Sequence, residues 1–106
     1  MVLLNIQLLH QIVLVEEDSA GLIAIESEPG YLWLVKLYLR SEYRGKGIGT
    51  ELLLGVLAQA QKVGKRVRLR VLRVNTKAQT FYLRHGFKVV EETQERFFME
   101  TSTSGA

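Results

Sequence analysis

No cysteine occurs in this chain of 106 residues, which removes a disulfide scaffold, a thiolate metal site and a cysteine nucleophile together. Histidine is nearly as scarce. His10 and His85 lie far apart and show no ligand spacing, so no metal is expected. No apolar run is long enough to span a bilayer: Met1 to Val15 is broken by Asn5, Gln7, His10 and Gln11, and it has no basic leader. A cytoplasmic protein without a membrane partner is the expectation. The excess of either sign of charge is small as well. The net charge of +3 suits an anionic ligand but is too small to argue for nucleic acid. The basic run from Lys65 to Arg73 has no aromatic platform interleaved with it, so no nucleic-acid partner is expected.

What is present is a balanced globular composition, 47% hydrophobic and 24% charged. It fits one domain over residues 1–100, followed by a small polar tail, 101–106, expected to be disordered. Ile12 to Val15, Leu22 to Ile25 and Tyr31 to Leu39 read as three strands, separated by turns at Glu17 to Gly21 and Glu28-Pro29-Gly30. Short connections favour an antiparallel meander. From Thr50 the period changes: Leu53, Val56, Leu57, Ala60 and Val63 form one helical stripe, which Gly64 ends. Val67 to Val71 alternates as a strand, Asn75 to Arg84 reads as a helix closed by Gly86, and Phe87 to Val90 with Phe97 to Met99 makes a last hairpin. The fold class is therefore mixed α/β: a mostly antiparallel sheet of about six strands, one parallel crossover and two main helices.

Between the third strand and the first helix stands Arg44-Gly45-Lys46-Gly47-Ile48-Gly49. Glycines at alternate positions permit a tight turn and leave backbone N–H groups uncovered, and the following helix start adds unpaired donors and the positive end of a dipole. Such a loop can hold a phosphate group. It is not a Walker loop, because Gly47 is followed by Ile48 and no Gly-Lys-Ser/Thr triplet exists. It is not a dinucleotide fingerprint either, since Thr50 stands where a third glycine is required.

Arg44-x-x-Gly47-x-Gly49, preceded by Leu37-Tyr38-Leu39 and Glu42-Tyr43, resembles the acyl-CoA loop of the GNAT superfamily of N-acyltransferases. A second match follows in Asn75, Ala78, Phe81-Tyr82 and Gly86-Phe87, so the resemblance runs from about Val13 to Met99. It implies acetyl-CoA as co-substrate, its pyrophosphate cradled by the backbone of Arg44, Gly45, Lys46, Gly47, Ile48, Gly49 and Thr50. It implies that the strand at Leu37, Tyr38 and Leu39 pairs with the pantetheine arm and splays from Val67 to Val71, and that Asn75 hydrogen-bonds the pantetheine. Tyr82 is the implied catalytic residue, a phenol that gives the departing thiolate a proton or hydrogen bond. The competing reading makes Tyr82 half-buried helix packing.

The implied activity is transfer of an acetyl group to a primary amine, on a small molecule or a protein, by direct attack. The alternative is a CoA-binding, non-catalytic module that acts as a sensor or oligomer component. Two departures from the family pattern bear on the choice. The N-terminal helices that wall the acceptor side look absent, which points to an open pocket or one completed in a homodimer. No carboxylate stands on the strand before the loop. Glu26 and Glu28 read as a base or as solvated charges, and deprotonation through water is equally compatible. In the basic run, Arg66, Arg68 and Arg70 share one face, either as a solubilising surface or with Arg70 attracting a carboxylate on the acceptor.

Overall fold

The computed structural model describes residues 6–101. Its elements are β1 (Ile6–Leu9), β2 (Ile12–Val15), β3 (Asp18–Glu28), β4 (Tyr31–Leu39), a 3₁₀ turn (Ser41–Tyr43), α1 (Ile48–Lys62), β5 (Arg66–Leu72), α2 (Thr76–Arg84), β6 (Phe87–Glu92) and β7 (Arg96–Thr101). The strands form one sheet in the order β1-β2-β3-β4-β5-β7-β6. β4 and β5 run parallel and every other neighbouring pair is antiparallel. The mixed α/β class with one parallel crossover and two helices is the architecture observed.

The differences from expectation have local causes. The seventh strand is β1, joined to β2 through His10 at φ 57°, a reversal that no glycine or proline marks. β3 opens at Asp18, inside the stretch expected to be a turn. Glu16 and Glu17 make the reversal instead, at φ 51° and 72°, a conformation that non-glycine residues seldom hold. Thr101, expected to open the tail, is the last residue of β7, and its Oγ1 accepts the Val67 N–H at 2.9 Å. That bond and the pairing of Phe87 with Thr101 hold it in the sheet. The rest of the expected tail, 102–106, lies outside the described residues.

One hydrophobic cluster sits between the helices and one face of the sheet. Val67, Leu69 and Val71 alternate into it from β5, Leu53, Val56 and Ala60 enter from α1, and Phe87 and Met99 from the last hairpin. Ala78, Phe81 and Tyr82 of α2 pack against the same cluster. Both helices therefore cover one face. On the other face the strand period places Arg66, Arg68 and Arg70, beside Tyr31 and Trp33 of β4 and Phe98 and Glu100 of β7. Among the described residues no helix covers that face.

The feature that positions a site is the brevity of the β4–β5 partnership. Pairing is confined to Tyr31, Leu32 and Trp33 with Arg66, Val67 and Arg68. β4 then follows β3 as far as the Leu39–Gly21 pair, while β5 follows β7 from Arg68 to Leu72. A bulge marks the parting: Ala24 pairs with Lys36 and Ile25 with Leu34, leaving Val35 without a partner on β3. An extra residue bends its strand and increases the local twist, so β4 is turned away from β5 just past the last parallel pair.

Candidate functional site

The connection from β4 to α1 is built around unpaired amides. Gly47 is the N-cap of α1 at φ 81°, ψ 1°, and no side chain caps the helix. This left-handed conformation is costly for a residue with a Cβ, which explains the glycine. The Glu51 N–H is the first to find a carbonyl, that of Gly47 at 3.1 Å. Among the described residues the N–H groups of Ile48, Gly49 and Thr50 have no acceptor, as expected of a helix start. They carry the positive end of the helix dipole, a place where an anion is stabilised.

These amides open onto a cleft of about 630 Å³ at the mouth of the β4–β5 splay. Its β4 wall is Leu37, Tyr38 and Leu39, and its floor is Arg44, Gly45, Gly47, Gly49 and Thr50. The α2 wall begins at Asn75 and continues through Lys77, Ala78, Phe81, Tyr82 and Arg84. Arg44 is held in place: its Nε donates to the Leu39 carbonyl at 2.8 Å and its guanidinium lies 5.7 Å from the centre of the Tyr38 ring. Arg44, Lys77 and Arg84 make the lining cationic, and no Asp, Glu or His is among the lining residues. A cationic lining beside unpaired amides suits an anionic group.

Two of the residues expected to cradle the pyrophosphate by their backbone keep their side chains out of the cleft. The Ile48 side chain is 1% exposed and belongs to the core, so only its backbone faces the loop. Lys46 does not line the cleft, and its Nζ lies 6.0 Å from the centre of the Tyr43 ring. Lys77, Phe81 and Arg84 are cleft residues that the sequence reading did not assign to the site. Their spacing of four and three is the signal that could have found them, because it sets all three on one side of α2.

Asn75 has a structural task. As N-cap of α2 its Oδ1 accepts the Ala78 N–H at 3.1 Å, leaving Nδ2 as the group able to meet a ligand in the cleft. Gln79 anchors the same turn, its Nε2 donating to the carbonyls of Leu72 at 3.0 Å and Arg73 at 2.7 Å. The Tyr82 ring packs edge-on against Phe81 and Phe87, with centroids 5.2 and 5.4 Å away. Its hydroxyl has no hydrogen-bond partner among the described residues, although no buried side-chain polar atom there is left unsatisfied. The hydroxyl is therefore accessible from the cleft that Tyr82 lines. Burial of the ring pushes the phenol up to about 12, so it is a proton carrier at neutral pH and not a base.

Comparison with known proteins gives concordant results. A family model described as an acetyltransferase (GNAT) domain matches residues 9–89. A spermidine N(1)-acetyltransferase of Thermoplasma acidophilum is 33% identical over 101 residues, covering 91% of this chain and 60% of that protein. The crystal structure of PaiA N-acetyltransferase from Thermoplasma acidophilum in complex with coenzyme A superposes with a TM-score of 0.79 at 33% identity, over 86% of this chain and 58% of the other. Arabidopsis thaliana Naa50, solved with the bisubstrate analogue CoA-Ac-MVNAL, gives 0.76 at 25% identity, over 86% and 70%. The chain thus spans about three fifths of the length of the Thermoplasma relatives.

Proposed function

The chain belongs to the GNAT acetyltransferase family, and from that premise we propose that it moves an acetyl group from acetyl-CoA to a primary amine by direct attack. The observation that carries this is the cleft itself. Unpaired amides at the start of α1, the edge of β4 beyond Trp33 and the Tyr82 hydroxyl all border one space at the splay. In this reading the N–H groups of Ile48, Gly49 and Thr50 hold the diphosphate, and Arg44, Lys77 and Arg84 add charge around it. The exposed edge of β4 at Leu37 to Leu39 pairs with the amides of the pantetheine arm as an added strand would.

The chemistry then follows from position. The amine nitrogen attacks the thioester carbon, its surplus proton passes to water, and the carbon–sulfur bond breaks. Tyr82 donates to the departing thiolate and is reprotonated from solvent. Holding thioester and amine together supplies much of the acceleration. β4 amides that have lost their β5 partners are available to the developing oxyanion. A thiol-release assay with acetyl-CoA and a panel of amines tests the proposal. Amine-dependent release is expected, and binding of CoA without release from any amine contradicts it.

A non-catalytic CoA-binding module is the second reading, favoured by the lack of any Asp, Glu or His in the cleft lining. The same assay separates the two. A homodimer belongs to the proposal as well, with the partner walling the acceptor side of the splay rather than covering it, because no described helix covers the sheet face that carries the Trp33–Phe98 ring pair (6.4 Å). A single-chain mass in sedimentation at micromolar concentration contradicts it.

A further inference from the structure

The amine has to reach the splay from a side that the thioester does not occupy. The helix-covered side holds the cleft lined by the amide loop and Tyr82, so the open face of the sheet is the remaining approach. The groups bordering the gap on that face come from three strands. Trp33 and Arg68 form the last parallel pair, Arg70 is the next residue of β5 on that face, and Phe98 of β7 pairs with Arg70. The rings of Trp33 and Phe98, 6.4 Å apart and tilted by 31°, form an apolar floor beside the opening.

The cations of this face are not equivalent. Arg66 is bound to Glu100 at 2.7 Å, and the other oxygen of the same carboxylate lies 3.8 Å from Arg68. Arg68 is further held 5.9 Å from the ring centres of both Tyr31 and Phe98. Arg70 is exposed and has no ion pair among the described residues. It stands on the part of β5 that β4 has left. Glu26 shares the face but sits across β4, opposite Trp33. Exposed Lys36, paired with Ala24, follows on β4 across the gap, and Glu91 pairs with Phe98 on the side away from Arg70. The charges bordering the gap on β4 and β5 are thus cationic, which disfavours a polyamine, and the Arg70 guanidinium adds a fork for a carboxylate.

Resting on the acyltransferase reading, we infer that the acceptor is a primary amine carrying a carboxylate, and that Arg70 binds that carboxylate while Trp33 and Phe98 support the body of the molecule. Arg70 is a specificity-determining residue, distinct from the groups that hold acetyl-CoA.

The test compares 4-(aminomethyl)benzoate, its uncharged carboxamide and spermidine as acceptors for the full chain. The acid is expected to exceed both in kcat/KM by roughly tenfold or more, the scale of a charge-assisted hydrogen bond. Arg70→Gln should remove that preference by raising KM for the acid roughly tenfold or more, with a far smaller change in the rate with the carboxamide and in KM for acetyl-CoA. Trp33 is the single tryptophan, so its fluorescence in CoA-saturated protein reports acceptor binding without turnover. Titration with the acid should change the signal in wild type and not in Arg70→Gln. Equal use of acid and carboxamide, preference for spermidine, or an unaltered preference in the variant overturns this inference while the acyltransferase reading stands. Absence of CoA binding overturns both.

Discussion

At the scale of single residues the account turns on Tyr82. Its hydroxyl borders the cleft without a partner among the described residues, and its ring is fixed by Phe81 and Phe87. Tyr82→Phe keeps that packing and removes only the donor. The variant should lose about 10²-fold or more in kcat, the lower end of general-acid contributions, with KM for acetyl-CoA changed less than about twofold. Equal loss in both parameters would make the residue structural. The phenol also has a pH signature. Burial raises it to about 12 from an ordinary value of 10, so between those values the folded protein binds a proton that the unfolded chain has released. Stability from this group is full below pH 10 and is lost as the pH climbs toward 12. Urea midpoints measured from pH 8 to 11.5 should fall more steeply for wild type than for Tyr82→Phe.

At the scale of elements, Asn75 and Gly21 separate holding the fold from holding the ligand. Asn75→Ala removes the cap of α2 and should cost about 1 kcal/mol in denaturant unfolding. Asn75→Ser retains a capping oxygen and loses the Nδ2 donor, so it should keep that stability and still raise KM for acetyl-CoA. Gly21 faces the end of β4, where a Cβ would run into the Tyr38 carbonyl oxygen. Gly21→Ala should therefore cost roughly 1–3 kcal/mol and weaken CoA binding together, because the displaced strand is a wall of the cleft. These elements also show what the sequence made readable. The stripe from Leu53 to Ala60, the alternation of Val67 to Val71 and the stops at Gly64 and Gly86 are strong periodic or backbone signals, and the observed elements follow them. The reversals at His10 and at Glu16-Glu17 carry no such signal, because left-handed residues other than glycine leave little trace in composition. Val35 was equally silent: whether an alternating strand holds a bulge depends on its partner's register, which residue types alone do not state.

At the scale of the whole molecule, the proposed function divides two tasks between the faces of one sheet. The helix-covered face and the loop into α1 present amides and cations suited to a phosphorylated carrier. The open face presents aromatics and an uncommitted arginine beside the same gap. In the proposed reaction the brief β4–β5 pairing joins the two tasks, since it would let a thioester on one side meet an amine from the other. This juxtaposition was legible only as an implication of the family resemblance. Spacing sets Lys77 and Arg84 on the same side of α2 as Phe81, but that this side borders the cleft follows from the docking of α2, which local sequence does not specify.

The most direct test is a calorimetric comparison of coenzyme A with pantetheine, which shares its thiol arm but lacks the 3′-phosphoadenosine diphosphate, with 4′-phosphopantetheine as the control that restores a phosphate without the nucleoside. The account predicts that coenzyme A binds roughly 100-fold or more tighter, the worth of about two charge-assisted hydrogen bonds from the amides that open α1. Equal affinity for coenzyme A and pantetheine, or no heat from coenzyme A at all, would contradict it.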